Sequence, residues 1–157
     1  MRTRVRAPVN AEIPILHLDV VKEEGFADDL EFVTSSQMRD SIERTGSVAL
    51  YGLQFEFDSA GLTDASDATV AEIAVFLGEN PELTVFVVGH TDDQGALEYN
   101  ERLSGERAAA VVRALVTRHG IDPGRLSSRG IGPLAPIASN ATEAGRARNR
   151  RVEIVRR

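Results

Sequence analysis

Two charged residues stand where charge is costly unless it is used. The stretch from Asn100 to His119 has the spacing of a long helix. At 100° per residue, Leu103, Ala110 and Ala114 fall within about 20° of one line, with Arg107 about 40° away and Val111 about 80° away. Arg107 is therefore expected inside an apolar arc that faces the rest of the fold. A guanidinium there must be paired or must border a pocket, because an unpaired buried charge costs several kcal/mol. Ala108, Val112 and Leu115 broaden the arc and leave its facing open, and an internal Arg–carboxylate pair that positions the helix is the plainer alternative. Asp92 follows the apolar run Leu83–Val88, which reads as a strand, and ligands of open α/β sheets gather at such strand ends. A carboxylate and a guanidinium together would clamp a zwitterion, one taking an ammonium and the other a carboxylate. On spacing alone, Asp92 reads first as a turn former across Thr91–Gly95, and Asp93 as solvated.

Other chemistries find no residues. His17, His90 and His119 are scattered, with no acid at a metal-ligand spacing beside them, so His90 reads as a hydrogen-bonded loop histidine. Asp92 and Asp93 are adjacent rather than opposed, which does not suit glycoside hydrolysis. Gly130-Ile131-Gly132 runs into Pro133 and lacks the helix opening of a dinucleotide site. Neither GxSxG nor GxxxxGK[ST] occurs. The basic run Arg146–Arg157 (RARNRRVEIVRR) is the one feature that resembles a nucleic-acid contact, but aromatic residues make up only 5% and there is no Trp to stack on bases. The pattern is that of a binder without catalytic residues, metal, cofactor or nucleic acid.

The elements that must position these residues fit within 157 residues, enough for one ordinary domain and an appendage. No apolar run approaches the roughly 18–20 residues that span a bilayer. The absence of cysteine excludes disulfides, thiolate metal sites and cysteine nucleophiles, and leaves the redox compartment unread. Charge is uneven: residues 1–101 carry 20 acids and six bases, whereas residues 102–157 carry four acids and 12 bases. Seventeen of the 18 bases are Arg, whose planar fork suits carboxylate or phosphate.

Met1–Arg6 resembles a basic leader, but Pro8, Asn10, Glu12 and Pro14 interrupt any apolar core after it. Met1 therefore reads as an artificial start or the start of a fragment, with any export signal upstream. Ile13–Val21 has edge-strand character, and Ser35–Arg44 reads as a short polar helix stopping before Gly46. Residues 1–45 hold too few large apolar positions for a core of their own, and read as the tail of a preceding domain or a flap on the next. From Ser47 the pattern gives a strand to Phe57, a helix over Thr63–Leu77, and the strand Leu83–Val88, expected to be buried on both faces. Beyond these come the long helix ended by Gly120, strands at Arg125–Arg129 and Arg151–Arg156, and a helical turn near Thr142–Arg148. The order β-α-β-α-β-(turn)-β predicts an α/β (α+β) two-layer sandwich of about 110 residues, with two helices covering one face of a mixed sheet.

Gly89-His90-Thr91-Asp92, Gly95, Tyr99-Asn100, Leu103-Ser104 and Arg107-Ala108 reproduce the pattern GHTDxxGxxxYNxxLSxxRA. Phe55-Glu56-Phe57-Asp58 and Leu62 upstream extend the match, as do Gly120-Ile121, Arg125-Leu126, Arg129-Gly130, Gly132 and Asn149-Arg150-Arg151-Val152-Glu153 downstream. Over roughly Val48–Val155 the chain resembles the OmpA-like C-terminal domain family, which takes in outer-membrane protein A, peptidoglycan-associated lipoprotein and flagellar stator anchors. The resemblance implies an OmpA-like domain over residues 46–157 that binds peptidoglycan in the periplasm without catalysis, anchoring an envelope or outer-membrane protein to the wall. It implies diaminopimelate of the wall peptide as ligand, with Asp92 taking its ammonium and Arg107 its carboxylate, so that an amidated diaminopimelate should bind poorly. Phe57 and Asp58 fall at the family's pocket wall and backbone contacts, Thr91, Asn100 and Leu103 line or brace the groove, and Asn149 and Arg150 match a motif expected to be structural. Members often dimerise, but nothing in this chain specifies a homodimer interface. The lipidated cysteine or transmembrane helix of some members is not found here. Two alternatives remain: an interaction module that kept the fold and lost the ligand, or a peptidoglycan-remodelling enzyme.

Overall fold

The computed structural model describes residues 32–56 and 59–157. The edge strand expected at Ile13–Val21 lies outside the described residues. Thr34 opens the first helix, α1 (Ser35–Thr45), with a reciprocal cap: its hydroxyl accepts the Gln37 N–H while the Gln37 side chain accepts the Thr34 N–H at 2.8 Å. Gly46, at φ 81°, ends it. The helix is polar but places Met38 and Ile42 in the same core as the elements that follow, so the chain from Ser35 is packed with the domain after it.

The remaining elements are β1 (Ser47–Leu50), α2 (Asp67–Glu79), β2 (Val85–Gly89), α3 (Leu97–His119), β3 (Leu126–Gly130), α4 (Glu143–Asn149) and β4 (Val152–Arg156). The sheet order is β1-β4-β2-β3, with β2 parallel to β3 and β4 antiparallel to both β1 and β2. This is the mixed two-layer architecture expected, with one difference: α1, α2 and α3 all contribute to the core on one face, three helices rather than two. The inward residues of the sheet, Val48, Leu50, Val85, Val87, Leu126, Val152 and Ile154, meet Val70, Ile73, Phe76 and Leu77 of α2 and Ala108, Val111 and Leu115 of α3. Alternation follows from the period of two along each strand.

Several features differ from the sequence expectation. The alternating run after Ser47 leaves the sheet at Leu50, and its second half pairs instead with a later stretch, through a Phe55–Leu62 bridge and hydrogen bonds between Gln54 and Thr63 and between Glu56 and Gly61. The alternation was real; the partner changed. The strand β2 is buried on one face only: Val85 and Val87 are enclosed, while Phe86 and Val88 on the uncovered face are half-buried. There the Arg129 and Arg157 guanidinium groups lie 5.8 and 5.7 Å from the Phe86 ring centre. Helix α3 begins at Leu97, three residues before the expected Asn100, because its N-cap is Ala96, which offers no capping side chain to read. Its end at Gly120, φ 67°, is as expected.

Helix α3 lies unusually close to the sheet. A Cβ on Gly89 would sit 2.1 Å from the Ser104 carbonyl oxygen, and one on Gly130 would sit 2.1 Å from the Gly105 nitrogen. The small pair Ser104-Gly105 thus rests on the ends of β2 and β3. Gly130→Ala should destabilise the fold by at least about 3 kcal/mol, because backbone rather than a movable side chain must give way. Gly78→Ala, at an exposed α2 position with nothing within 4 Å, should instead stabilise by up to about 1 kcal/mol. Chemical denaturation of the two variants beside wild type measures both.

Candidate functional site

A cavity of about 750 Å³ opens where α3 crosses the C-terminal end of β2. The loop after β2 forms one wall, and backbone contacts hold its root: the His90 N–H donates to the Arg151 carbonyl and the Thr91 N–H to the Gly132 carbonyl, both at 3.0 Å. Further on, Asn100, 3% exposed, donates its amide to the Gln94 carbonyl at 2.8 Å and so ties the loop to the first turns of α3. Asp92 is buried in this loop. Its Oδ1 accepts the Gln94 N–H at 3.1 Å, which is the turn-forming role read from spacing. Its Oδ2 accepts from Arg150 Nη1 at 2.7 Å.

Arg107 enters from α3. The deepest line of that helix runs through Ser104, Ala108, Val111 and Leu115, roughly 70° round from Arg107 at 100° per residue. Leu103, Ala110 and Ala114 are buried on the other side, roughly 40° round, so Arg107 lies within the buried arc as expected, off its deepest line, and is half-buried. Its Nε donates to the Ser59 carbonyl at 3.2 Å, and its guanidinium lies 5.0 Å from the Phe55 ring centre. The displaced half of the predicted first strand thus returns as a wall of the site.

Asp92, Arg107, Thr91, Asn100 and Leu103, all singled out from sequence, line this one cavity. Phe57 and Asp58 lie outside the described residues. Sequence reasoning missed Phe55, Gln94, Tyr99, Glu143 and Arg150, which also line it. Arg150 was assigned a structural part, yet it bridges Asp92 and Glu143, meeting Glu143 Oε1 with Nη2 at 2.7 Å. Arg146 holds the other oxygen of Glu143 at 2.9 Å. Hydrogen bonds from Arg150 and Arg146 hold the Glu143 carboxyl below its ordinary value of 4.5. Burial works against the charge of Arg150, but hydrogen bonds to Asp92 and Glu143 outweigh it and raise its pKa. No periodicity could have shown this chain of charges, since Asp92 and Arg150 lie 58 residues apart. Asn149, fully buried, does have a structural part: its side-chain Oδ1 accepts the Ile137 and Ala138 N–H groups, and its Nδ2 donates to the Ala138 carbonyl and to Asn140 Oδ1.

His90, 4% exposed, is among the residues that line the cavity and lies against the Arg151–Glu153 pair. Among the described residues neither ring nitrogen has a hydrogen-bond partner; Nε2 stops 3.6 Å from Glu153 Oε1. This corrects the reading of a hydrogen-bonded loop histidine. No group of three or more His, Cys, Asp or Glu that could hold a metal occurs among the described residues, and none of their helices is long and apolar enough to cross a membrane.

A sequence profile of the OmpA family matches residues 54–150. The protein "Probable lipoprotein YiaD" of Escherichia coli K12 is 41% identical over 133 residues, 78% of this chain and 60% of that protein, so the chain spans well under the whole of that relative. Among solved structures, the peptidoglycan-associated lipoprotein from Burkholderia pseudomallei superposes with a TM-score of 0.60 at 32% identity, covering 73% of this chain and 92% of that one. The cell wall anchor of the T6SS from Pseudomonas aeruginosa superposes with a TM-score of 0.60 at 31% identity, covering 79% and 96%.

The buried imidazole carries a pH prediction. Burial lowers the His90 pKa from 6.5 to about 4, Arg151 pushing the same way and Glu153 opposing. The unfolded chain then binds more protons than the folded one between those values, so stability is complete above pH 6.5 and is lost as pH falls towards 4. The loss should be on the order of 3 kcal/mol. Glu143, depressed below 4.5, contributes its own loss only at lower pH. Denaturant titrations at pH 7 and pH 4.5 should show the difference in wild type and a much smaller one in His90→Gln.

Proposed function

The chain belongs to the OmpA family, and from that premise we propose that it binds peptidoglycan non-covalently in the periplasm and anchors an envelope protein to the wall. In this reading residues 46–157 form the binding domain, with α1 packed against it, and the ligand is the free amino-acid end of diaminopimelate in the wall peptide. The observation that carries it is one cavity lined by a carboxylate on the loop after β2 and a guanidinium on α3, Asp92 and Arg107. Two opposite charges on two separate elements define a distance and a direction, which a zwitterionic end group can match and a single charge cannot. Solved relatives described as a peptidoglycan-associated lipoprotein and a cell wall anchor support the assignment of the wall as partner.

The energetics suit an anchor. A charge-assisted hydrogen-bonded contact contributes about 1.5–3 kcal/mol, so two of them give single-site affinities in the μM to mM range. The sacculus is one polymer carrying many copies of the ligand, so tethering raises retention while each contact still exchanges. The cavity holds binding groups, and the mechanism asks nothing of them beyond desolvated charge pairing.

A second reading is favoured by one observation: Asp92 already has an internal partner in Arg150, as expected of a module that has lost its ligand. Sedimentation with purified diaminopimelate-containing sacculi separates the readings. Wild type should pellet with the wall and release no soluble muropeptides. Asp92→Asn and Arg107→Gln should each weaken retention about 10–150-fold while remaining folded, and sacculi with amidated diaminopimelate should behave like the Arg107 variant. Folded wild type that stays in the supernatant would point to the interaction module, and soluble fragments to a remodelling enzyme.

A further inference from the structure

The cation at Asp92 is built into the protein. Arg150 closes α4 and reaches Asp92 Oδ2 with one arm of its fork and Glu143 Oε1 with the other, both at 2.7 Å. The second Asp92 oxygen accepts the Gln94 N–H. The Asp92 side chain is only 12% exposed, whereas that of Arg150 is 40% exposed. Asp92 thus faces the cavity with both oxygens engaged, and the group that engages it most strongly lies on the solvent side.

A ligand ammonium that comes to Asp92 meets this guanidinium first. If it replaces Arg150, one cation on a buried carboxylate is exchanged for another, and the exchange is close to neutral. The released arm of Arg150 turns to water while the other stays on Glu143, which Arg146 holds in place. A plain amine therefore gains little from the site. A ligand that also carries a carboxylate gains its contact with Arg107 on α3, away from the exchange. We infer that Arg150 is the resident counter-cation of Asp92, and that by competing for it Arg150 weakens every ligand ammonium alike, so that an end group is retained only when its carboxylate also reaches Arg107. The inference rests on the proposed role of Asp92 and Arg107, and makes Arg150 the residue that sets how tightly an ammonium is held.

The test uses the full chain and two probes: meso-diaminopimelate, and cadaverine, which has the two amines and neither carboxylate. Wild type should prefer diaminopimelate strongly. Arg150→Gln, checked for folding by thermal melting, should bind both ligands at least tenfold more tightly, with the preference ratio unchanged. Arg150→Lys brings a single-point cation that cannot bridge Asp92 and Glu143 together, so its affinities should lie between those of wild type and Arg150→Gln; it also carries the test if the Gln variant does not fold. Unchanged or weakened binding of both ligands in folded variants, or a gain confined to one ligand, overturns the inference and leaves the proposed function standing. Wild type that binds no diaminopimelate overturns both.

Discussion

The contact of α3 with the ends of β2 and β3 is the constraint on which the rest of the site depends. Gly89 and Gly130 leave no room for a side chain, and Ser104-Gly105 on the helix add almost none, so backbone meets backbone. Ser104, fully buried, uses its hydroxyl in both directions, accepting the Gly132 N–H at 3.0 Å and donating to the Glu101 carbonyl at 2.9 Å. Pinned at this height and rotation, α3 brings Asn100 under the loop after β2 and Arg107 to the edge of the cavity. A larger residue at the contact would lift the helix and separate the two charges that one ligand must span. Close packing of this kind is felt at the scale of one methyl group, because interiors have no slack to absorb it.

Charge is arranged around this frame in two layers. Facing the cavity, the chain Arg146–Glu143–Arg150–Asp92 runs from the surface inward, each acid held by at least one arginine. Behind it, Arg151 is 5% exposed, and its guanidinium is used by Glu153 at 2.6 Å and by the Ala135 carbonyl at 3.1 Å. A buried charge is tolerated only when paired and hydrogen-bonded, and both layers meet that condition. His90 between them does not, and stays neutral. The site therefore combines a rigid rear wall with a front pair that is partly open to water.

Much of this was legible in the amino-acid order because it arises from local rules. Alternation marked the strands, Gly120 marked the end of α3, and an arginine inside an apolar arc pointed to a buried pair or a pocket edge. The expectation failed where the deciding interaction was distant. Phe55 continues the alternation of β1, but its partner is Leu62 rather than the sheet. Nothing near Ala96 announced the start of α3. Arg150 sits in a basic run that reads as undifferentiated charge until the fold carries Asp92 to within 2.7 Å of it. The facing of α3 stays open for a similar reason: Ala108, Ala110 and Ala114 are alike in sequence and all buried, and the glycines of the facing strands decide that the Ser104–Ala108 side lies deepest.

The central claim is that Asp92 and Arg107 act on one ligand. A chemical-shift titration of the full chain with meso-diaminopimelate, run on wild type and on Arg107→Ala, addresses it most directly. The account predicts saturable shifts at Thr91–Gln94 and around Arg107 on α3, which vanish in a variant that keeps the dispersed spectrum of a folded protein. Folded wild type whose spectrum does not change at millimolar ligand, or equal shifts in both proteins, would contradict it.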